Sequence, residues 1–147
     1  MKRILLIEDN PNDELLTINA LEANNVFNEV IVARNGAEAL EYLFCDENYD
    51  MCDPAKLPTV VLLDLNLPKI DGLEVLRQIR NNERTRLLPV VILTSSNELE
   101  DRRKGYALGA NSYVRKPVDY DDFIKMAGQL GHYWLSLNES PHRHFQV

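Results

Sequence analysis

At 147 residues and 45% hydrophobic content, the chain has room for one domain and can fill one core without a disulfide framework or a structural metal. A formal net charge of -7 and a pI near 4.9 argue against nucleic acid as a direct partner, because affinity for its phosphate backbone rests on clustered Lys and Arg. Lys2 and Arg3 precede only Ile4 to Ile7 before Glu8 and Asp9 interrupt, which is not the order of a secretion signal, and no apolar run approaches membrane-spanning length. No membrane contact is expected, and the cytoplasm is the expected address.

Short apolar runs alternate with segments of helical period along the chain, which predicts an α/β fold: a (βα)5, doubly wound, five-stranded parallel sheet. The first strand is expected over Arg3 to Ile7, followed by a helix opened by Asn10 and Pro11 and carrying Leu15, Ile18 and Leu21. Glu29 to Ala33 reads as the second strand, and Gly36 opens a helix with Ala39, Leu40 and Leu43. Phe44 to Pro58 is polar, acidic and Pro-containing, and reads as a long surface loop. Cys45 and Cys52 lie in it with no second pair to complete a zinc site, so reduced, non-ligating thiols are expected.

Thr59 to Leu63 is the third expected strand. Asp71, with Glu74 three residues later, has the spacing of a capping box and predicts the third helix. Pro89 to Leu93 follows as a strand, then a helix starting near Ser96 or Asn97 and stopping by Gly109, then a fifth strand over Ser112 to Val114. Asp119, with Asp121 and Asp122 in the first turn, opens a last helix expected to bury Phe123, Ala127, Leu130 and Trp134. Residues 1–134 are expected to form the domain and 135–147 a tail with no effector domain after it. Leu137 continues the helical spacing and could extend the last helix; beyond Pro141 a frayed end is expected.

In an open parallel sheet, chemistry gathers beyond the carboxyl ends of the strands. There the sequence places Glu8 and Asp9 after the first strand, Asp64 after the third, Thr94 and Ser95 at the end of the fourth, and Lys116 with Pro117 after the fifth. Carboxylates brought that close repel unless a cation sits among them, and oxygen-only ligands with free water positions suit Mg²⁺. With such a cation Asp64 could stay ionised as a nucleophile on phosphorus, with Lys116 offsetting the charge that builds and Thr94 donating to the phosphoryl oxygens. Taken singly, each residue has a plainer reading: Asp64 as a turn cap, Glu8 and Asp9 as a solvated strand end, Thr94 as an ordinary strand residue, Lys116 as a surface charge. Their convergence at one sheet edge favours the chemical reading.

These residues fall in five segments: IEDN at Ile7 to Asn10, LLDLNLPKIDG at Leu62 to Gly72, ILTSS at Ile92 to Ser96, GA at Gly109 and Ala110, and YVRKP at Tyr113 to Pro117. In that order they resemble CheY-like response-regulator receiver domains over about residues 2 to 130. The resemblance implies a flavodoxin-like fold, phosphorylation of Asp64 by a sensor histidine kinase, and Mg²⁺ held by Asp9 directly, by Glu8 through water, by Asp64 and by the backbone carbonyl of Asn66. It further implies Thr94, with Ser95 beside it, as the switch hydroxyl, Tyr113 as the switch aromatic, Lys116 as the phosphate-binding lysine, and a cis peptide at Lys116–Pro117. More narrowly, the chain is similar to regulators serving phytochrome-type kinases, cyanobacterial ones in particular, which implies signalling to a downstream protein that the sequence leaves unknown.

Two rival readings are open. A degenerate receiver would act as a phosphorylation-independent adaptor, against which the full acid, hydroxyl and lysine set speaks. A phosphatase or phosphotransferase with an aspartyl nucleophile usually places a second Asp two positions on, where Asn66 stands. Neither GxGxxG nor GxxxxGK[ST] occurs, which speaks against a nucleotide module. The apolar period from Phe123 to Leu137, with Phe145 in the tail, makes a homodimer through the last helix and tail a further expectation. His132, His142 and His144 are expected to be solvated positions and not metal ligands.

Overall fold

The computed structural model describes residues 2–24, 29–44 and 57–141. Cys45, Cys52, His142, His144, Phe145 and most of the expected Phe44 to Pro58 loop lie outside the described residues. Five strands alternate with five helices: β1 (Arg3–Ile7), α1 (Pro11–Ala23), β2 (Glu29–Ala33), α2 (Gly36–Phe44), β3 (Val60–Leu63), α3 (Gly72–Arg80), β4 (Val90–Thr94), α4 (Leu99–Ala107), β5 (Ser112–Arg115) and α5 (Tyr120–His132). A π-helical turn, Tyr133–Leu137, continues from α5.

The strands form one parallel sheet in the order β2-β1-β3-β4-β5. Right-handed crossovers explain the layering. The chain steps one way from β1 to β2 and the other way in every later connection, so α1 must lie on the opposite face from α2, α3 and α4. The period-2 alternation of strand side chains fills the two faces in turn. Leu5, Ile7, Val61, Leu63, Val90 and Ile92 point toward a core with Ala39, Leu43, Val75, Leu76 and Ile79 of α2 and α3. Ile4, Leu6, Val60, Leu62 and Val91 point the other way, onto Ala20 and Leu21 of α1 and Ala127, Trp134 and Leu135 at the chain's helical end.

The caps explain where helices begin. Asn10 Oδ1 accepts from the Asn12 and Asp13 N–H groups, and Pro11 takes the first helical position, where no N–H is needed. Asp71 caps α3 in the same way through Leu73 and Glu74. α4 begins at Leu99, later than the spacing suggests, because the Ser96 hydroxyl accepts from the Glu98 N–H at 3.3 Å and closes a turn ahead of the helix.

Burial departs from expectation at two helical leucines. Leu15 is 58% exposed, since the buried stripe of α1 runs through Thr17, Ala20 and Leu21 and Leu15 lies roughly 200° around the helix from Thr17. Leu130 is half-buried beside the core; the terminal turn places Trp134 and Leu135 under it instead. Packing thus reaches Leu135, whose carbonyl accepts from the Lys2 ammonium.

Candidate functional site

The switch in direction at β1 opens a crevice beyond the carboxyl ends of β1 and β3, where ligands gather in open parallel sheets. Register fixes what meets there. Ile7 pairs with both Ala33 and Leu63, so the residues that follow, Glu8 and Asp64, leave adjacent strands at the same level. The ladder extends one step further, with the Glu8 N–H on the Ala33 carbonyl and the Asp64 N–H on the Ile7 carbonyl, both 3.0 Å. Gly72 lets α3 start against this edge: a Cβ there would stand 2.4 Å from the Asp64 carbonyl oxygen.

Glu8, Asp9 and Asp64 can bring carboxylate oxygens within 4.8 Å of one another, Glu8 and Asp64 buried and Asp9 exposed. Lys116, 7% exposed, reaches in from the end of β5. Its ammonium donates to Glu8 Oε1, to Asp64 Oδ2 at 3.0 Å and to Asp13 Oδ2 at 2.9 Å. The Asn66 N–H donates to Asp64 Oδ1 at 3.1 Å, while the Asn66 side chain faces solvent.

Burial raises the Glu8 carboxyl to about 7; Lys116 opposes this rise, and the neighbouring Asp64 charge adds to it. Burial pushes Asp64 the same way, but hydrogen bonding from Glu8 together with the Lys116 charge and the Asn66 N–H outweighs it, so Asp64 is lowered from its ordinary value. Lys116 is raised: burial disfavours its charge, but the carboxylates around it more than compensate. Burial thus favours a proton on Glu8, while its neighbours favour the ionised form of Asp64. The donor set fits a hard divalent cation: three carboxylates, with one exposed ligand leaving room for water.

The hydroxyl and the aromatic stand on the next strands. Thr94 is fully buried at the end of β4, its Oγ1 3.4 Å from the Ser96 N–H, and its carbonyl accepts from the Lys116 N–H at 2.7 Å. That backbone bond ties the strand bearing the hydroxyl to the residue bearing the ammonium. Tyr113 is half-buried on β5; its hydroxyl donates to the Ser96 carbonyl at 3.1 Å, and Arg102 of α4 lies 5.8 Å from its ring centre. Ser95 is exposed, apart from these contacts.

Two residues depart from the sequence reading. The Lys116–Pro117 bond is trans, not cis as the resemblance implied, since no peptide among the described residues is cis. Trans is the lower-energy isomer of an X-Pro bond by about 0.5–1 kcal/mol, and the chain here runs outward to a Val118 that is 99% exposed. Asp13 is the residue that sequence reasoning missed. Its place in the first turn of α1 suits the helix dipole, which disguises it, yet the cap at Asn10 brings that turn over the site. The available signal was its position four residues after Asp9, about one helical turn beyond it.

Residues 4–128 match the response regulator receiver domain family. The chain belongs to that family. Among solved structures it is similar to the phosphorylated cyanobacterial phytochrome response regulator RcpA, at 35% identity and TM-score 0.87, covering 96% of this chain and 99% of that one. It is also similar to the Mn²⁺-bound form of response regulator Rcp1, at 35% identity and TM-score 0.86, covering 97% and 100%. A probable methanogenesis regulatory protein, FilR2 of Methanothrix harundinacea, is 41% identical over 138 residues, 94% of this chain and 86% of that protein. The receiver family is a signalling phosphoacceptor family, and this chain is a two-component receiver domain related to phytochrome response regulators. No helix among the described residues is long and apolar enough to cross a membrane.

Proposed function

We propose that Asp64 is the phosphoacceptor, taking a phosphoryl group from the phosphohistidine of a sensor histidine kinase. The observation that carries this is the ionised, buried Asp64 held between an acid pair and the Lys116 ammonium. A carboxylate oxygen of Asp64 attacks phosphorus, the P–N bond of the donor breaks, and the imidazole nitrogen keeps the electron pair and takes up a proton. Glu8, Asp9, Asp64 and the Asn66 carbonyl would hold Mg²⁺, which when bound neutralises charge on the transferring group. Lys116 supplies a fixed positive charge beside the phosphoryl oxygens.

Thr94 and Tyr113 report the event. A hydroxyl drawn toward the phosphoryl group would move the end of β4, and through the Ser96 carbonyl that displacement reaches Tyr113. Asn66 in place of a second acid confines the chain to receiving a phosphoryl group and losing it slowly, with no turnover of external substrates. The likeness to RcpA supports a phytochrome-type kinase as donor, whereas the likeness to FilR2, a probable methanogenesis regulatory protein, supports a donor of another kind. Residues 1–134 would act as the receiver in the cytoplasm, signalling through a downstream protein and through self-association along the last helix and tail.

Acetyl phosphate with Mg²⁺ tests the assignment. Mass spectrometry should find one phosphoryl group on the wild type and none on Asp64→Asn. An unmodified wild type would favour the adaptor reading, and sustained turnover of a small phosphoester would favour a phosphatase.

A further inference from the structure

Lys116 has three N–H donors, and each meets a different carboxylate: Glu8, Asp64 and Asp13. Glu8 and Asp64 belong to the acid cluster that could share a cation; Asp13 does not. Its backbone is fixed independently of Lys116, by the Asn10 cap on its N–H at 3.2 Å and by the Thr17 hydroxyl on its carbonyl at 2.7 Å. Its side chain is 32% exposed, that of Lys116 only 6%, so the pair stands at the mouth of the site with the ammonium on the inner side.

We propose that Asp13 is a positioning residue that holds the Lys116 ammonium and, through its own charge, limits how tightly an anion binds on Asp64. The inference rests on Asp64 being the phosphoacceptor. A phosphoryl group on Asp64 must share an ammonium that already serves Asp13, and the two anions then flank one cation with roughly 5 Å between them, the span of two hydrogen bonds at a tetrahedral angle. At that separation, and with water reaching Asp13, their repulsion weakens anion binding by about three- to tenfold. The arrangement makes the phosphorylated state less stable than it would be with a neutral residue at position 13. An acid that merely stabilises the first turn of α1 would have no such effect.

Trifluoroberyllate, which adds to a carboxylate oxygen as a phosphoryl stand-in, tests this on the whole chain at saturating Mg²⁺. Asp13→Asn should bind it about three- to tenfold more tightly than the wild type, with the advantage shrinking as KCl is added, and Asp13→Glu, which retains the charge, should stay within about twofold. Asp13→Ala is the second neutral variant should the Asn form prove unstable, and urea unfolding of each protein verifies that it is folded. Equal or weaker binding by the folded neutral variants overturns the proposal. A wild type that binds no trifluoroberyllate overturns the assignment of Asp64 first, and this inference with it.

Discussion

Replacing Lys116 by Met tests the electrostatics of the site most directly. Met keeps an unbranched stem of similar length, so the change removes the ammonium and leaves most of the packing. In the wild type, Lys116 is 7% exposed and its ammonium is bonded to three carboxylates. At about 3 Å and an effective dielectric constant near 20, each contact is worth roughly 5 kcal/mol before desolvation is subtracted. Removing one partner of such a buried set costs about 3–5 kcal/mol net, a large share of the roughly 5–15 kcal/mol that holds a domain folded. The cost should depend on pH. Without Lys116 the Glu8 carboxyl, already raised to about 7 by burial, loses the charge that opposes the rise, so the variant regains stability as pH falls through and below that value. Mg²⁺ should narrow the gap as well, because a cation at a hundred times its Kd adds about 2.7 kcal/mol to a protein that binds it only when folded, and the variant has the greater charge to neutralise. Urea unfolding followed by Trp134 fluorescence measures all three effects; this single Trp is buried against the core. A variant within about 1 kcal/mol of the wild type at pH 8 without Mg²⁺, and no closer with it, would refute the reasoning.

Glu8 supplies a pH prediction for the wild type. Its carboxyl stands at about 7 in the fold against an ordinary 4.5, so between those values the folded protein holds a proton that the unfolded chain releases. Metal-free stability should therefore fall as pH rises through that window, and Mg²⁺ affinity, read by calorimetry, should strengthen toward and above pH 7 as the ion displaces the proton; a flat profile would place the proton elsewhere. Lys69 has φ 68, the left-handed region, in the loop between β3 and α3. Lys69→Gly should raise thermal stability by about 0.5–1 kcal/mol, relief of strain exceeding the added freedom of the unfolded chain. A lower Tm would show that the lysine side chain has a stabilising contact there.

The strands were legible because each carries an apolar run that only a sheet covered on both faces can bury, and β1, β3 and β4 are buried along nearly their whole lengths. β2 and β5 are the edges, and their half-buried residues show where that reading weakens: apolar sequence marks a strand but not its place in the sheet. Helix starts were legible where a side chain caps its own helix, as at Asn10, Asp71 and Asp119. The start of α4 was not, because the Ser96 hydroxyl has two claims on it: it accepts from Glu98 and donates to Asp101 at 2.7 Å. The order of charged and polar residues alone does not say which partner a hydroxyl takes.

The site shows the same boundary between local and non-local information. Glu8, Asp9, Asp64, Thr94 and Lys116 could be found because they directly follow or end apolar runs, and in a parallel sheet all such ends lie along one edge. Asp13 follows no strand; its spacing of four residues from Asp9 hints at a place near the site, but that its carboxylate reaches Lys116 across 103 positions of sequence depends on the angle at which α1 leaves its Asn10 cap. Arg80 is the counterpart on the far side of the fold. It bonds the Gly109 carbonyl at 2.8 Å and Asn111 Oδ1 at 2.9 Å, and Asn111 Oδ1 also accepts from the Val90 N–H, so one guanidinium ties α3 to the chain entering β5 and to the first residue of β4. Burial disfavours its charge, and carbonyl oxygens, not a carboxylate, satisfy it. Both residues read in sequence as ordinary helix-surface charges. What separates them from their neighbours is that each lies in a terminal turn of its helix, Asp13 in the first of α1 and Arg80 in the last of α3, where the helix passes one end of the sheet and its side chains can reach loops from distant sequence.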